Sequence, residues 1–298
     1  MLTKFACSIA VLASLLPIAR AEDTVAQIQS FRKDMEQEAK DPHGYLALVA
    51  LQWLPDGETT VGSDASNKLR LAGLPAHAVI LRQRGGQASL AAPGGHFDAC
   101  VKVNGQPARE QALAPDSSGK PDEVTCGDIG MTVILRGDRL YLRVRDAHSP
   151  TLRAFHGLRW YPIQNAYQIT AKWVPYPQEH ALAFKNVLGQ SFNQKTPGYA
   201  EFQVDGKTVR LEPVSVSPKQ MWFIFRDETS RTETYGAGRF MYSAAPSNGV
   251  AKPGTVLLDF NTAYNPPCAY TPFATCPLPA PQNRLSVAIP AGEKRYHE

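Results

Sequence analysis

The chain has 298 residues, 43% hydrophobic and 19% charged, with a formal net charge of +4. That length holds one large domain or two. Acids and bases are mixed along it, and no basic stripe is interleaved with aromatics, so nothing in the pattern supports a nucleic-acid partner.

At the start, Lys4 precedes an apolar run from Phe5 to Ile18, which closes on Ala19-Arg20-Ala21. Small residues two apart after such a run predict a signal peptide over residues 1–21, and hence a periplasmic or secreted protein. The run is too short for a permanent span and no later stretch is long and apolar enough, so no transmembrane anchor is expected. Cleavage after Ala21 leaves 298 − 21 = 277 residues and removes Lys4 and Arg20, taking the charge from +4 to +2. Cys7 lies too early in the run to serve as a lipid-anchor cysteine and reads as apolar filler. The other four cysteines are Cys100, Cys126, Cys268 and Cys276. Of their three pairings, the sequential one (Cys100 with Cys126, Cys268 with Cys276) closes the shortest loops and is the expectation. No close Cys-x-x-Cys spacing suggests zinc, no metal is expected, and an oxidising compartment favours bridges.

Residues 22–54 read as helical. Thr24 can cap a helix whose one face carries Val25, Ile28, Phe31 and Met35, and whose other face carries Arg32, Lys33, Glu36 and Lys40. Asp41-Pro42 and Gly44 end it. A second short helix is expected, with Leu46, Val49, Ala50 and Trp53 on one side.

Residues 55–298 read as β-rich, possible subdomains being 55–147 and 150–298. Strands are expected at Val79–Arg82, Ala99–Val103, Met131–Arg136 and Arg139–Arg145. In the last, Leu140, Leu142 and Val144 point one way and Tyr141, Arg143 and Arg145 the other. Gln111 to Glu123 reads as an exposed loop. Further strands are expected at Tyr167–Val174, Trp222–Arg226, a run closed by Phe240, Val256–Phe260 and Leu285–Ile289. Asp205-Gly206 between Tyr199–Val204 and Lys207–Val214 is a hairpin signal. The fold class is therefore mostly β: an antiparallel barrel or sandwich-like sheets, with N-terminal helices packed against them.

Three regions carry candidate chemistry. Phe225 to Phe240 gathers Arg226, Asp227, Glu228, Tyr235 and Arg239 around Gly236 and Gly238. Such glycines let a ligand approach backbone, and an arginine beside them can clamp a carboxylate or phosphate. The same run also reads as a hairpin with its charges in solvent. Leu258 to Leu285 places Asp259, Asn261, Tyr264 and Asn265 between a strand and a rigid loop, where they either bind a ligand or hold turns. Asp146, His148 and Ser149 suggest hydrolysis, but no Gly-x-Ser-x-Gly elbow frames any serine. His156 and His180 lie near Trp160, Tyr161, Trp173 and Tyr176. A His-Glu-x-x-His motif, a phosphate loop and a dinucleotide fingerprint are all absent, so no cofactor is expected.

The C-terminal half resembles a widespread bacterial family of unknown function. The resemblance is carried by Arg145-Asp146 with Ser149, Gly157-Leu158 with Tyr161-Pro162, Tyr235 to Phe240, Leu258-Asp259-Phe260-Asn261 with Ala263 to Cys268 and on to Ala269, Asn283-Arg284-Leu285 and Ala291-Gly292-Glu293. Trp53-Leu54 and Val61-Gly62-Ser63 extend it toward the N-terminus. It implies membership without an assigned activity, and draws Arg239, Asp259, Asn261 and Asn265 together as one candidate cluster.

Three functions compete at this point. The first is an exported protein binding a small polar or anionic ligand, or a cell-envelope partner, through Tyr235, Arg239, Asp259, Asn261 and Asn265. The second is an envelope hydrolase using Asp146, Asp227, Glu228, Asp259 or Glu293, for which two carboxylates must face each other across a cleft. The third is a structural scaffold offering an apolar patch to a protein partner.

Overall fold

The computed structural model describes residues 16–297, with side chains from Thr24 onward. Residues 1–15, most of the predicted signal peptide with Lys4 and Cys7, lie outside the described residues. Helix α1 (Leu16–Ala39) runs on through Ala21 and Thr24, so in the whole chain Thr24 is interior to the helix and is not its cap. Its apolar face behaves as the spacing predicts: Ile28 is buried, and Phe31 packs edge-on to Trp160 and Tyr264. Arg32 lies over the Trp160 ring and donates to the carbonyls of Tyr161 (3.0 Å) and Asn261 (3.2 Å). Among the described residues no helix is long and apolar enough to cross a membrane.

Two sheets follow. The strands are β1 (Leu48–Trp53), β2 (Gly57–Gly62), β3 (Leu69–Arg70), β4 (Val79–Arg84), β5 (Gln87–Ala91), β6 (Lys102–Val103), β7 (Gln106–Pro107), β8 (Gln111–Leu113), β9 (Glu123–Cys126), β10 (Ile129–Arg136) and β11 (Arg139–Asp146). One sheet has the order β1-β11-β10-β9-β6-β7 and the other β3-β2-β4-β5-β8. Their apolar faces meet in a first core that includes Val61, Leu81, Leu90, Val124, Met131, Leu142 and Val144. Each such side chain contributes about 1.5–3 kcal/mol by leaving water. The Cys100–Cys126 disulfide ties this sandwich as the cysteine spacing predicts.

The second half is built alike from β12 (Gln168–Lys185), β13 (Ser191–Val204), β14 (Lys207–Leu211), β15 (Ser215–Val216), β16 (Gln220–Phe225), β17 (Arg239–Ala244) and β18 (Gly254–Asp259). The sheets are β14-β13-β12-β18 and β15-β16-β17, and Trp173, Phe202, Leu211, Phe223, Phe225, Leu258 and Phe260 fill the core between them. Asp205 (φ 49°) and Gly206 (φ 73°) make the two-residue turn of the β13–β14 hairpin, both left-handed as a turn matched to strand twist requires. No sheet closes on itself, so the fold is a pair of sandwiches and not a barrel.

Some expectations are corrected. The second N-terminal helix is a single 3-10 turn (Tyr45–Ala47) followed by strand β1. Leu48 to Trp53 pairs along β11, where cross-strand packing outweighs the helical spacing of Leu46, Val49, Ala50 and Trp53. The loop from Gln111 to Glu123 is entered by β8 and left by β9. The expected strand at Ala99 shortens to β6, and Phe240 opens β17 instead of closing a strand. Leu285, Val287 and Ile289 alternate into the second core, yet form no ladder. Their backbone is tied to a neighbouring loop by Leu285 N–H to Arg226 O (2.7 Å) and Glu228 N–H to Val287 O (2.9 Å).

The late segment is stitched through the second half. The Asn283 amide donates to the carbonyls of Glu212 and Ile224 and accepts from Glu212 N–H. Gly292 (φ 78°) passes so close to the 260–263 turn that a Cβ would stand 2.5 Å from the Ala263 carbonyl oxygen, so no other residue fits there.

Candidate functional site

The candidate residues serve mainly as internal scaffolding: Asp259 bonds to Asn261, while Arg239 and Asn265 each bond to the 289–294 segment. Arg239 is buried on β17 with Asp227 Oδ2 at 2.7 Å from Nη2, and its remaining donors reach the carbonyls of Ile289 and Ala291. Asp227 also accepts from Thr229 N–H (3.0 Å) and its hydroxyl (2.5 Å). Asp227, Thr229 and Ser230 thus form a buried turn, while Glu228 pairs with Arg231 at the surface. Asp259 accepts from Asn261 N–H (3.0 Å) and from the Gln168 amide (2.8 Å). Asn261 exchanges hydrogen bonds with the backbone of Gln164. Asn265 donates through its N–H to Glu293 Oε2 (2.8 Å) and through its amide to Lys294 O. Tyr235 donates to Cys268 O (2.9 Å).

No pair of the candidate carboxylates faces its fellow across an open cleft. Asp146 accepts from His148 N–H in a turn, and Ser149 is buried, donating to Leu46 O and capping the short helix Pro150–Arg153. That placement gives Ser149 no route to a substrate. Among the described residues no group of three or more His, Cys, Asp or Glu is arranged to hold a metal ion.

A different site emerges between the two sandwiches. β11 is an interior strand, flanked by β1 and β10, so its outer face is rigid. Arg143 stands opposite Leu51 and Thr132, and Arg145 opposite Leu48 and Gly130. Both arginines point away from the first core, into a cleft of about 370 Å³. Tyr45, Leu48, Phe240, Pro267, Ala274, Thr275, Cys276 and Pro277 wall it, and Glu38, Asp41 and His43 stand at its rim. The far wall is clamped in place. Arg136 reaches across from β10 to Thr275 Oγ1 (2.9 Å) while paired with Asp116 (2.7 Å). The β12–β13 hairpin holds the same loop through Val187 N–H to Cys276 O (3.0 Å) and Leu278 N–H to Lys185 O (2.7 Å).

The electrostatics of the floor are unusual. Neither Arg143 nor Arg145 has a carboxylate within ion-pair distance among the described residues, and the Nε of each is buried without a hydrogen-bond partner. Burial, followed by repulsion from Arg136 and Arg145, pulls the Arg143 guanidinium down to about 10. Arg145 is also lowered by burial, with Glu123 and Asp41 partly offsetting this from a distance. Partly buried cations without a close counter-charge are costly, and such groups cluster at binding sites. A second concavity, lined by Arg159, Glu233, Lys294, Arg295 and His297, differs in this respect. There Arg295 already donates to backbone carbonyls and Glu233 accepts from Tyr161.

One predicted residue connects to the cleft indirectly. Tyr45, on the cleft wall, lies 5.2 Å ring to ring from Tyr270. The Tyr270 hydroxyl bonds in turn to Glu293 Oε1. Glu293 is wholly buried, and desolvation pushes its carboxyl up to about 7 against hydrogen bonds from Asn265 and Tyr270. Burial and the Glu293 charge hold both tyrosines above their ordinary value, so both stay protonated at neutral pH.

Cys268 and Cys276 are unbridged thiols, contrary to the expected pairing. Cys276 Sγ instead accepts a hydrogen bond from Cys268 N–H (3.2 Å), which holds the two residues side by side.

The alternation of β11 was the available signal for Arg143 and Arg145, since it placed both on the face away from the core. Nothing nearby in sequence announced the wall opposite them, which comes from residues 267–277.

No curated protein matches the chain. It is similar to the solution NMR structure of an uncharacterized protein of Haloarcula marismortui, with 26% identity over 50% of this chain and 82% of that one, at a TM-score of 0.41. It is also similar to two FHA-domain structures at 22% identity and a TM-score of 0.23, each over 32% of this chain. One comes from an analysis of phosphothreonine-dependent FHA interactions and is covered over 92%. The other is the FhaA FHA domain complexed with a partner's intracellular domain, covered over 97%. Residues 153–294, which hold the second core and the far wall of the cleft, match the model of a family described as a protein of unknown function, DUF1684. That match does not reach Trp53-Leu54 or Val61–Ser63, which the sequence resemblance includes.

Proposed function

We propose that the protein is exported to an oxidising compartment and binds a small anionic ligand in the cleft between its two sandwiches, against Arg143 and Arg145. The observation that carries this reading is the pair of half-buried guanidinium groups on one rigid strand, each with a buried, unpartnered Nε and no carboxylate at ion-pair distance. A bound carboxylate or phosphate supplies the missing charge and accepts from both forks. Tyr45 and Phe240 add apolar surface for the rest of the ligand. Export is supported by the leader pattern of residues 1–21 and by the Cys100–Cys126 bridge, a bond at home outside the reducing cytosol. The role is binding in place of hydrolysis, since the candidate acids are spent on Arg239, on turns or on the surface.

Calorimetric titration with inorganic phosphate, citrate and succinate at low ionic strength tests it. At least one anion is expected to bind, more weakly as salt rises, and Arg143→Met or Arg145→Met is expected to lower affinity roughly 10- to 100-fold, the equivalent of one charge-assisted contact. Binding unchanged in both variants, or no binding of any of the three, would overturn the reading.

A further inference from the structure

The cleft wall carries a second chemistry that does not depend on what the arginines hold. Cys268 and Cys276 flank a loop of seven intervening residues, and the Cys276 sulfur stands 3.2 Å from the Cys268 backbone nitrogen. The scaffold sets this juxtaposition from both ends. Tyr235 donates to Cys268 O (2.9 Å), while Val187 N–H holds Cys276 O (3.0 Å). Cys268 N–H then closes the gap onto Cys276 Sγ (3.2 Å).

The two sulfurs are unequal. Cys268 is half-buried, and the neighbouring Cys276 thiol and Tyr235 hydroxyl lower its thiol below the ordinary value, against desolvation. Cys276 is buried, and its hydrogen bond to Cys268 together with desolvation raises its thiol. A more acidic, more accessible thiol beside a buried, protonated one is the division of labour between an attacking and a resolving cysteine. Cys100 and Cys126 show no such split, being already joined by a disulfide.

We infer that Cys268 and Cys276 form a thiol–disulfide exchange site, with Cys268 attacking an external disulfide and Cys276 resolving the product. In the first step the Cys268 thiolate attacks one sulfur of R–S–S–R. A Cys268–S–S–R bond forms, the external S–S bond breaks, and RS⁻ leaves. In the second step Cys276 gives its proton to that thiolate, and its sulfur attacks Cys268 Sγ, expelling the second RS⁻, which takes up the proton lost by Cys268. The sum is two protein thiols plus one external disulfide giving one protein disulfide and two RSH, a two-electron oxidation of the protein. The new bond draws the sulfurs to about 2.0 Å. Because Cys276 is part of the cleft wall, the redox state also reshapes the cleft.

Equilibrating the purified protein in glutathione buffers from fully reduced to fully oxidised, then alkylating and mapping peptides by mass spectrometry, tests the site. Cys268 and Cys276 are expected to be fully labelled at the reducing end and to lose label together in a single transition, while Cys100 and Cys126 stay unlabelled throughout. Cys276→Ser is expected to stall with one glutathione on Cys268, and Cys268→Ser to react with oxidised glutathione at least 10-fold more slowly than wild type. Thiols that stay labelled at every poise, a pair that stays bridged at the reducing end, or glutathione trapped on Cys276 in preference to Cys268 would each overturn the assignment. The wild-type titration stands even if a variant fails to fold.

Discussion

Arg239 is fully and Arg143 partly withdrawn from water, and the molecule treats their charges in opposite ways. Around Arg239 the second sandwich supplies a carboxylate at 2.7 Å and the carbonyls of Ile289 and Ala291, so the charge is matched inside the fold. Around Arg143 and Arg145 the cleft supplies apolar walls and rim acids beyond ion-pair distance. A fold can keep an internal ion pair for its own architecture. A partly buried cation left unmatched costs stability and persists where something outside the chain completes it. The residues with the most polar character in the sequence therefore serve the scaffold, and two arginines on a plain strand carry the open valence.

The largest break in this comparison comes from removing one partner of the closed pair. Asp227→Ala leaves Arg239 charged and buried, and is expected to cost about 3–5 kcal/mol in denaturant unfolding. A loss under 1 kcal/mol would mean that water already reaches Arg239. Next in size is Glu293, which has only neutral partners at hydrogen-bond distance. Its folded value is raised to about 7 from an ordinary 4.5, so the folded state holds this proton more tightly than the unfolded chain. The stability linked to it is complete below about pH 4.5 and is lost as pH climbs through 7, by about 3 kcal/mol. Glu293→Gln keeps an acceptor for Asn265 N–H and a donor for Tyr270. The difference between wild-type and variant unfolding free energies is thus expected to change over that interval and level off above it; parallel profiles would contradict the assignment. The smallest effect is expected at the open site. Arg143→Met exchanges an unmatched cation for an apolar chain of similar reach and should move stability by less than about 1 kcal/mol. A loss as large as that of Asp227→Ala would make Arg143 a structural cation.

Much of the fold was legible because its signals are local. The Asp205-Gly206 hairpin rests on two left-handed residues, and β11 on strict alternation. The Cys100–Cys126 bridge also followed from spacing. What failed depended on distant partners. Leu46 to Trp53 satisfies helical spacing, yet β11, some ninety residues on, recruits it as a strand. Leu285 to Ile289 alternates like a strand, but the backbone beside it is a turn that offers only scattered hydrogen bonds. The site was hidden for the same reason. Arg239, Asp259, Asn261 and Asn265 are all taken up by internal hydrogen bonds, and a polar side chain in a sequence does not disclose whether it will face a carbonyl or a ligand. The cleft over Arg143 exists only once residues 267–277 fold back onto the first sandwich.

The stitching by residues 281–295 has a consequence for how the molecule comes into being. Asn283 joins Glu212 to Ile224, Ile289 and Ala291 receive Arg239, and Arg295 N–H reaches Glu233 O. All of these anchoring points are translated before the segment that joins them. A ribosome that has reached Pro279 has produced both sheets of the second sandwich but none of these ties, whereas the first sandwich, with its disulfide partners, is already complete in sequence. The two halves thus run on different clocks, and the second must wait, open and apolar, until its last stretch emerges. Under the export proposed above, that delay would keep the second half of the chain threadable through a narrow channel before it folds.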